Sequence, residues 1–324
     1  MLVINQKQVE DILTMRSCIQ VMEDVLMELA AGEAVQYLRS VVPIEKENLM
    51  GLMPGYLRKE GVIGAKVITI YPENHQHGLP SHRGVVLLND AKDGSLKAVM
   101  DGTKITAIRT AAVSAVATKS LSKKDSEILS LLGLGEQART HLEAILLVRP
   151  IKQVNIWSRN MEKAKVWKTE MEQKYPVAIH VFDTVTSAVR EADIICTLTA
   201  SIEPILRGEW VKEGAHINAV GACKAADREL DSELVRRSIF YVDRMESALN
   251  ESGDYLIPLK EGVIDSNHIV GELGDVLIKK APGRQSDSEI TIFESLGLAI
   301  EDLAAANFIY HESVKLKKGT FISM

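Results

Sequence analysis

The sequence predicts an α/β protein in which a doubly wound parallel sheet is combined with a second, discontinuous α+β domain. The 324-residue chain is long enough for two domains. From about residue 126 onward, strand-like and helix-like segments alternate strictly, which is typical of βαβ units in a parallel sheet. Before that point the chain has short strand-like runs separated by turns, which indicate a different kind of sheet.

The first third of the chain mixes helical and extended patterns. Residues 6–31 have apolar side chains at helical spacing and are predicted to form one helix. The strand-like runs that follow predict an antiparallel or mixed sheet: YLRSVVPI, LMGLMPGY, VIGAKVITIY, RGVVLLND and LKAVMDG. Residues 106–121 are rich in small side chains, which predicts a tightly packed helix.

The remainder of the chain is predicted as a parallel-sheet domain and a returning helix. The predicted strands are EILSLLG, QVNIWS, AIHVFD, DIICTLT, GAHINAVG and IFYVD, with helices between the early ones. The last block, ITIFESLGLAIEDLAAANFIYHESVKL, is predicted as one long helix that packs back on the first domain. The predicted boundaries therefore give one domain of residues 1–122 and 291–324 and another of residues 123–290.

Composition and charge exclude several classes of protein. The net charge is −6 and no dense basic face is visible, which argues against nucleic-acid binding because phosphate contacts need clustered Lys and Arg. No apolar run is long enough for a membrane span, and the acidic N-terminal segment does not resemble a signal peptide. Cys18, Cys196 and Cys223 are too far apart to indicate a metal site or a disulfide framework. A cytoplasmic protein without a metal is expected.

The segment LLGLGEQART predicts a dinucleotide-binding turn of the Rossmann type. Gly133, Gly135 and Ala138 form a G-x-G-x-x-A pattern between a buried strand and a helix. The first glycine permits the tight turn, the second lets backbone approach a pyrophosphate, and the small Ala138 permits helix–strand contact. Leu134, Glu136 and Gln137 complete the predicted cofactor-binding turn. The alternative is a glycine turn that binds nothing.

The end of the second strand bears on which dinucleotide is bound. An acidic residue about 20 positions after the turn would favour NAD, because it binds the ribose 2′-hydroxyl. Here the strand ends in IWSRN without an acid. Arg159 stands where a 2′-phosphate would lie, Ser158 and Asn160 can donate hydrogen bonds, and Lys163 follows one helical turn later. NADP(H) is therefore favoured and NAD(H) remains possible, unless Arg159 is merely a surface arginine.

Several segments resemble the ornithine cyclodeaminase/mu-crystallin family over nearly the whole chain. They are LPSHRGVVLLND, LKAVMDGTKITAIRTAAVSAVATK, LGLGEQA, IWSRN, EPILRGEWVKEGAHINAVGA and FESLGLAIED. The likeness is greatest to the mu-crystallin branch, which is associated with NADPH-dependent ketimine reduction. The resemblance implies a central Rossmann domain, a dimerisation and substrate domain built from the two ends of the chain, and a homodimer formed through sheets of that domain.

The resemblance also implies how a substrate is held. Arg39, Lys66 and Arg109 would bind its carboxylate, and Lys66 would be the catalytic residue that donates or relays a proton. The residues themselves support part of this, since Lys66 lies in an apolar strand and Arg109 in a small-residue helix, where an unpaired charge is costly. The partner that these cations need is either a bound carboxylate or a structural Asp or Glu.

The remaining cofactor contacts are expected around the nicotinamide. The resemblance places Ser81 and His82 there. Loops at the carboxyl ends of parallel strands bind ligands, so we expect further contacts from the later strands and the start of the last helix. With Arg109, the predicted contacts are Thr199, Val220, Ala222, Cys223 and Ser295.

One departure from the family pattern separates two reactions. Ornithine cyclodeaminases have an acid two residues after the strand-end glycine, where this chain has Cys223, and a neutral thiol does not pair with an ammonium group as a carboxylate does. Asp227 is predicted to lie outside the pocket. The prediction is an NAD(P)H-dependent reductase of small cyclic ketimine acids. The alternatives are an ornithine or lysine cyclodeaminase with bound NAD, an alanine-dehydrogenase-type enzyme, or an NADPH-dependent ligand-binding protein.

Overall fold

The computed structural model describes residues 1–323 and divides into two compact units. Unit 1 is discontinuous and consists of Met1–Arg109 and the segment from Gly297 onward, and unit 2 is Thr110–Leu296. The units therefore divide after Arg109 and after Leu296, whereas the predicted domain boundaries fall after residues 122 and 290. The roles predicted for the two domains, dimerisation and substrate binding for one and cofactor binding for the other, stay predictions.

Unit 1 is an α+β unit with a mixed sheet. Its elements up to the division are β1 (Leu2–Ile4), α1 (Gln6–Ile12), α2 (Met15–Ala30), β2 (Ala34–Gln36), β3 (Ser40–Pro43), β4 (Leu49–Leu57), β5 (Val62–Ile70), β6 (His82–Asp90), β7 (Leu96–Asp101) and the first part of α3 (Gly102–Leu121). A 3-10 helix, Pro72–His77, connects β5 to β6.

Two elements near the C-terminus complete unit 1. They are the last helix and the last strand of the chain, α11 (Ala299–Leu316) and β16 (Thr320–Phe321), and the elements between α3 and α11 belong to unit 2. The strand order is β16-β1-β7-β6-β5-β4-β2, with β3 also pairing with β4. Among the described residues of this sheet only the β1–β7 pair is parallel, so of the predicted antiparallel or mixed sheet the mixed form is the one observed.

The predicted single helix over residues 6–31 is wrong, because the chain breaks into α1 and α2. Leu13 leaves the helical conformation at φ −88° and ψ 86°. Thr14 then caps α2 by accepting a hydrogen bond from the Ser17 backbone N–H. Thr at an N-cap competes with helix continuation through its side-chain oxygen. The apolar spacing was preserved across this break, which is why periodicity did not reveal it.

The two faces of the unit 1 sheet differ. Helices α2 and α11 cover one face, where Met53, Lys66, Val86 and Met100 are buried. The other face carries apolar side chains that are directly opposite one another on β4, β5 and β6, including the rows Leu52–Val67–Val85 and Tyr56–Ile63. Leu52 is 40% and Ile63 is 46% exposed. We call this surface the outer face.

Unit 2 is a doubly wound parallel sheet, as predicted. After the rest of α3, its elements are β8 (Ile128–Leu132), α4 (Glu136–Val148), β9 (Gln153–Trp157), α5 (Met161–Lys174), β10 (Ala178–Phe182), α6 (Val185–Val189), β11 (Ile194–Thr197), β12 (His216–Ala219), α7 (Ser232–Arg236), β13 (Ser238–Val242), α8 (Met245–Glu251), α9 (Gly253–Lys260), β14 (Ile269–Glu272), α10 (Leu273–Leu277) and β15 (Ile290–Glu294). A short 3-10 helix, Gly208–Trp210, precedes β12.

The sheet order places a topological switch point beside β8. The order is β10-β9-β8-β11-β12-β15-β13-β14 and every pairing is parallel. The buried side chains of β8 and β11 alternate between two separate cores: Leu129, Leu131, Ile194 and Cys196 enter one, and Leu132 and Ile195 enter the other. Strand order reverses direction between β8 and β11, and open sheets of this type bind ligands outside the strand ends at such a point.

The prediction that residues from Ile290 form part of the last helix is wrong. Ile290–Glu294 is strand β15, which lies between β12 and β13 in the sheet of unit 2. Its run of β-branched and aromatic side chains suits a strand buried on both faces. The helix begins only at Ala299. Across residues 1–323, no helix has both the length and the apolar character needed to cross a bilayer.

Candidate active site

The predicted cofactor residues of unit 2 all follow the carboxyl ends of parallel strands or open the next helix, so they lie along one edge of its sheet. The loop after β8 carries Gly133, Leu134 and Gly135, and α4 opens with Glu136 and Gln137. The other strand ends contribute Ser158, Arg159, Asn160, Lys163, Thr199, Val220, Ala222, Cys223 and Ser295. Ser81, His82 and Arg109 belong to unit 1.

The two glycines of the turn have different physical roles. Gly133 has φ +96°, and a Cβ there would lie 2.7 Å from the Leu198 carbonyl oxygen and 2.9 Å from Thr199 Cγ2. Gly135 has an ordinary extended conformation, and no described atom lies within 4 Å of the Cβ that another residue would have there. Gly133 is therefore required by the protein's own packing, whereas Gly135 keeps space open in front of the helix.

The start of α4 fits the pyrophosphate of a dinucleotide. Gly135 is the N-cap of this 13-residue helix and supplies no side-chain cap. The first N–H groups of a helix have no intrahelical acceptor, and the helix dipole favours an anion at that end. The buried Gln137 Oε1 also lacks a hydrogen-bond partner among the described residues. Open space and backbone donors at the switch point are the features that such a group needs.

The end of β9 and the start of α5 form the wall of a surface cleft. Asn160 caps α5 by accepting from the Lys163 backbone N–H at 3.0 Å, and Ser158 Oγ accepts from the Asn160 backbone N–H. Arg159 is exposed. The cleft has a volume of about 370 Å³ and is lined by Leu134, Arg139, Asn160, Glu162, Lys163, Val166 and Trp167. Ser158 and Asn160 therefore also shape the turn that presents Arg159 and Lys163.

The loops after the later strands pack closely. Val220 and Ala222 are buried, and Cys223 is half-buried with its Sγ 3.6 Å from the Val220 carbonyl oxygen. The Ser295 backbone N–H donates to the Ala219 carbonyl, and its buried Oγ has no hydrogen-bond partner among the described residues. Cys223 is thus part of a packed loop wall.

Lys66 lies on the covered face of the unit 1 sheet and is 2% exposed. Its Nζ lies 2.6 Å from Asp302 Oδ2 in the first turn of α11. Burial is the largest cause that lowers the pKa of Lys66, the Asp302 carboxylate opposes it, and the charges of Arg109 and Arg39 add to the lowering, so that the pKa is about 8. Lys66 is therefore a buried amine that can exchange a proton near neutral pH.

The two arginines meet at the turn before α11. Arg109 donates to Glu301 Oε2 at 2.7 Å and to Asp302 Oδ1 at 3.1 Å. Arg39 donates to the Gly297 carbonyl oxygen at 3.3 Å. Gly297 has φ +84°, and a Cβ there would lie 2.9 Å from the guanidinium nitrogens of Arg109. The glycine of ESLG therefore allows the chain to pass directly over Arg109.

The structure brings the three predicted substrate-binding cations together and adds two carboxylates. Glu301 and Asp302 are the structural partners that buried cations were expected to need. Three cations and two carboxylates leave one formal positive charge in the cluster. A substrate with one carboxylate balances that charge. Structural acids therefore accompany these cations, and the binding of a substrate carboxylate stays a prediction.

Glu301 and Asp302 were missed because their sequence signal has another common meaning. Acids in the first turn of a helix are expected from the helix dipole alone. Nothing in FESLGLAIED distinguishes such acids from ion-pair partners of a strand lysine and a helix arginine that are distant in sequence.

Ser81 and His82 lie at the start of β6. Ser81 Oγ and His82 Nδ1 are 2.9 Å apart. His82 is exposed in part of its surface, yet desolvation by the surrounding protein atoms lowers the pKa of its imidazole. The positive charge of Lys66 lowers this pKa further. This lowering of the pKa favours the neutral form of His82.

A parallel sheet with an open glycine turn at its switch point defines a dinucleotide-binding protein of the Rossmann class. The ornithine cyclodeaminase/mu-crystallin family model matches residues 1–317, and the chain belongs to this family. The resemblance noted from the sequence is confirmed.

Three relatives illustrate the likeness. Ketimine reductase mu-crystallin of Mus musculus is 44% identical over 280 residues, which cover 86% of this chain and 85% of the relative. Delta(1)-pyrroline-2-carboxylate reductase of Bacillus cereus is 35% identical over 324 residues, 99% of each chain. The solved structure of Thermococcus litoralis Delta(1)-pyrroline-2-carboxylate reductase in complex with NADH and L-proline is 41% identical, with a TM-score of 0.97 over 99% of this chain and 100% of that one.

Proposed function

We propose that this protein is an NAD(P)H-dependent reductase of small cyclic ketimine acids, converting 1-pyrroline-2-carboxylate or 1-piperideine-2-carboxylate to L-proline or L-pipecolate. The observation that carries the proposal is the cluster of half-buried Arg39 and buried Lys66 and Arg109 with the carboxylates Glu301 and Asp302. The net formal charge of these five side chains is +1, which matches a monocarboxylate. The names of the three relatives agree with it, since each is a reductase of a ketimine or of the pyrroline acid.

The residues of unit 1 account for substrate binding and proton transfer. Arg39 and Arg109 hold the substrate carboxylate, and Glu301 and Asp302 fix Arg109 for that contact. The Lys66 ammonium gives its proton to the imine nitrogen as the C=N bond is reduced. Asp302, 2.6 Å from Lys66 Nζ, stabilises the protonated amine before transfer. A bound reduced nicotinamide supplies the hydride that adds to the imine carbon.

Within this proposal, NADP(H) is the preferred cofactor. The loop after β9 contains no acid between residues 158 and 160, and it presents Arg159 to solvent with Lys163 on the neighbouring cleft. An Arg there attracts a 2′-phosphate, whereas the carboxylate typical of NAD sites would repel it. Glu162 also lines the cleft, and Lys165 pairs with its carboxylate at 2.7 Å.

We further propose that the protein is a homodimer joined through the outer face of unit 1. Apolar side chains occupy the middle of that face across β4, β5 and β6, with Thr69 and Arg83 beyond them, and contiguous apolar patches mark interaction surfaces. A flat sheet face can meet the same face of a second copy around a two-fold axis.

The test is oxidation of NADPH and of NADH with each imine and the purified chain. Turnover with at least one imine, and a higher kcat/KM for NADPH than for NADH, is the expected result. The same protein is incubated with NAD and L-ornithine to test the cyclodeaminase alternative. Conversion of ornithine to proline without turnover of either imine would show that the proposal is wrong.

A further inference from the structure

The buried carboxylate of Glu229 contacts two strand-end loops of unit 2. Glu229 is fully buried, and its Oε1 accepts hydrogen bonds from the Thr199 backbone N–H at 2.7 Å and the Thr199 hydroxyl at 2.5 Å. Its Oε2 accepts from the Gly221 backbone N–H at 2.8 Å. Thr199 follows β11 and Gly221 follows β12, so a single side chain ties the ends of two neighbouring parallel strands.

Thr199 in turn contacts the turn at the start of α4. A Cβ on Gly133 would lie 2.9 Å from Thr199 Cγ2, so that methyl group packs directly on the first glycine of the turn. A Cβ on Gly221 would lie 2.1 Å from the Thr199 carbonyl oxygen and 2.5 Å from Glu229 Oε2. Gly133, Thr199, Gly221 and Glu229 therefore form one close-packed group around the switch point.

A second carboxylate, that of Asp254, fixes the backbone at Glu229. Asp254 Oδ1 accepts hydrogen bonds from the Glu229 and Leu230 backbone N–H groups at 3.0 and 2.7 Å. A Cβ on Gly253 would lie 2.0 Å from the Asp227 carbonyl oxygen, so the start of α9 is pressed against the segment that carries Glu229. Burial raises the pKa of Glu229, and the bonds from Thr199 and Gly221 act against that rise. The carboxyl group has little freedom to move away from the two loops.

We propose that Glu229 is a positioning residue of the cofactor site, which acts through Thr199 and Gly221 to hold the strand-end loops in the shape that binds the dinucleotide. The inference rests on the proposed function, because it assumes that this edge of unit 2 binds NAD(P)H. It assigns a role to a residue two positions after Asp227, which is predicted to lie outside the pocket. Glu229 touches neither the substrate nor the reacting atoms in this role.

The test is Glu229→Gln, which keeps the shape of the side chain. The amide oxygen of glutamine can still accept from Thr199. Its NH₂ group then faces the Gly221 N–H, so two donors meet and neither has an acceptor. Relieving this contact displaces the Gly221 loop, and a loss of binding energy of the size of one buried hydrogen bond corresponds to about a tenfold loss of affinity. We expect the dissociation constant for NADPH or NADH, measured by fluorescence titration, to rise about tenfold or more while the KM for the imine stays within about twofold. The control is Glu233→Gln, an exposed acid of α7 paired with Arg236, which should bind like the wild type.

A second variant keeps the proposal testable if Glu229→Gln does not fold. Thr199→Val removes the hydroxyl that donates to Glu229 and accepts from the Ser201 backbone N–H, and should weaken dinucleotide binding about fivefold. Wild-type affinity in folded Glu229→Gln, or in Thr199→Val, would overturn the inference. So would a lowered melting temperature with unchanged affinity, since that marks a purely structural residue. Because the titration contains no imine, a failure of imine reduction does not affect its outcome.

Discussion

Lys66 is subject to opposing electrostatic effects in the buried cluster. Desolvation and two neighbouring arginines disfavour its charged form, while Asp302 favours it. The resulting pKa of about 8 lies far below the usual 10.5 for lysine. A general acid is most effective when its pKa is near the working pH. The same environment that makes this lysine costly to bury thus suits it to proton transfer.

The first prediction concerns the pH dependence of imine reduction. Lys66 carries its proton below about pH 8 and loses it above, so kcat should fall as the pH rises through about 8. Lys66→Arg keeps the positive charge but does not release a proton, and should lower kcat about 100-fold or more while the KM for the imine changes only a few-fold. The measurement is a kcat–pH profile of both proteins. The same alkaline limb and similar kcat in Lys66→Arg would exclude Lys66 as the donor.

At the scale of the element, the β8–α4 turn combines two glycines with separable functions. Gly133 is needed for a positive φ and for the close approach of Leu198 and Thr199. Gly135 needs neither, because any residue can adopt its conformation and no described atom lies within 4 Å of a Cβ placed there. One glycine therefore serves the fold and the other serves the ligand.

The second prediction compares these two positions. Gly133→Ala should lower the free energy of unfolding by about 2 kcal/mol or more, from a strained φ and a steric clash. Gly135→Val should change it by only about 0.5 kcal/mol but weaken NAD(P)H binding at least about tenfold, because its side chain fills the space a pyrophosphate would occupy. Denaturant unfolding and dinucleotide titration measure the two effects. Normal binding by Gly135→Val would contradict the assignment of the turn.

At the scale of the whole molecule, the outer face of unit 1 carries exposed apolar side chains such as Leu52, Ile63 and Val85. Its side chains alternate with those that face α2 and α11, so the strands carry apolar residues on both faces. A strand with one face in water would normally alternate apolar and polar side chains. The presence of apolar side chains on both faces of these strands is the reason to propose that a second copy of the chain covers the outer face.

The third prediction is that the protein sediments as a dimer of its 35.7 kDa chain. The double variant Leu52→Lys, Ile63→Lys should be a folded monomer, because it places like charges opposite one another across the proposed interface. Leu249→Lys changes a residue that is also 46% exposed, on α8 of unit 2, and should leave the dimer intact. A wild-type protein at the monomer mass in analytical ultracentrifugation would refute the dimer.

Much of the fold could be predicted from local patterns. The parallel strands β8 to β13 and the glycine turn were placed correctly, since periodicity and glycine spacing are signals within a few residues of one another. Strand β15 was misassigned to the last helix because a short apolar run beside a helix has no distinct period of its own. The break at Thr14 was missed for a related reason, as a cap leaves the apolar spacing unchanged.

By itself the sequence determined the alternation of strands and helices, the cofactor turn, the family and the three cations. Each of these depends on residue types at short spacing or on motifs that survive as contiguous segments. Only the tertiary structure decided which carboxylates accompany the cations, and that Glu229 ties Thr199 to Gly221. Coulomb and hydrogen-bond energies depend on distance in space, and the chain brings Lys66 to Asp302 only after the sheet and α11 have packed.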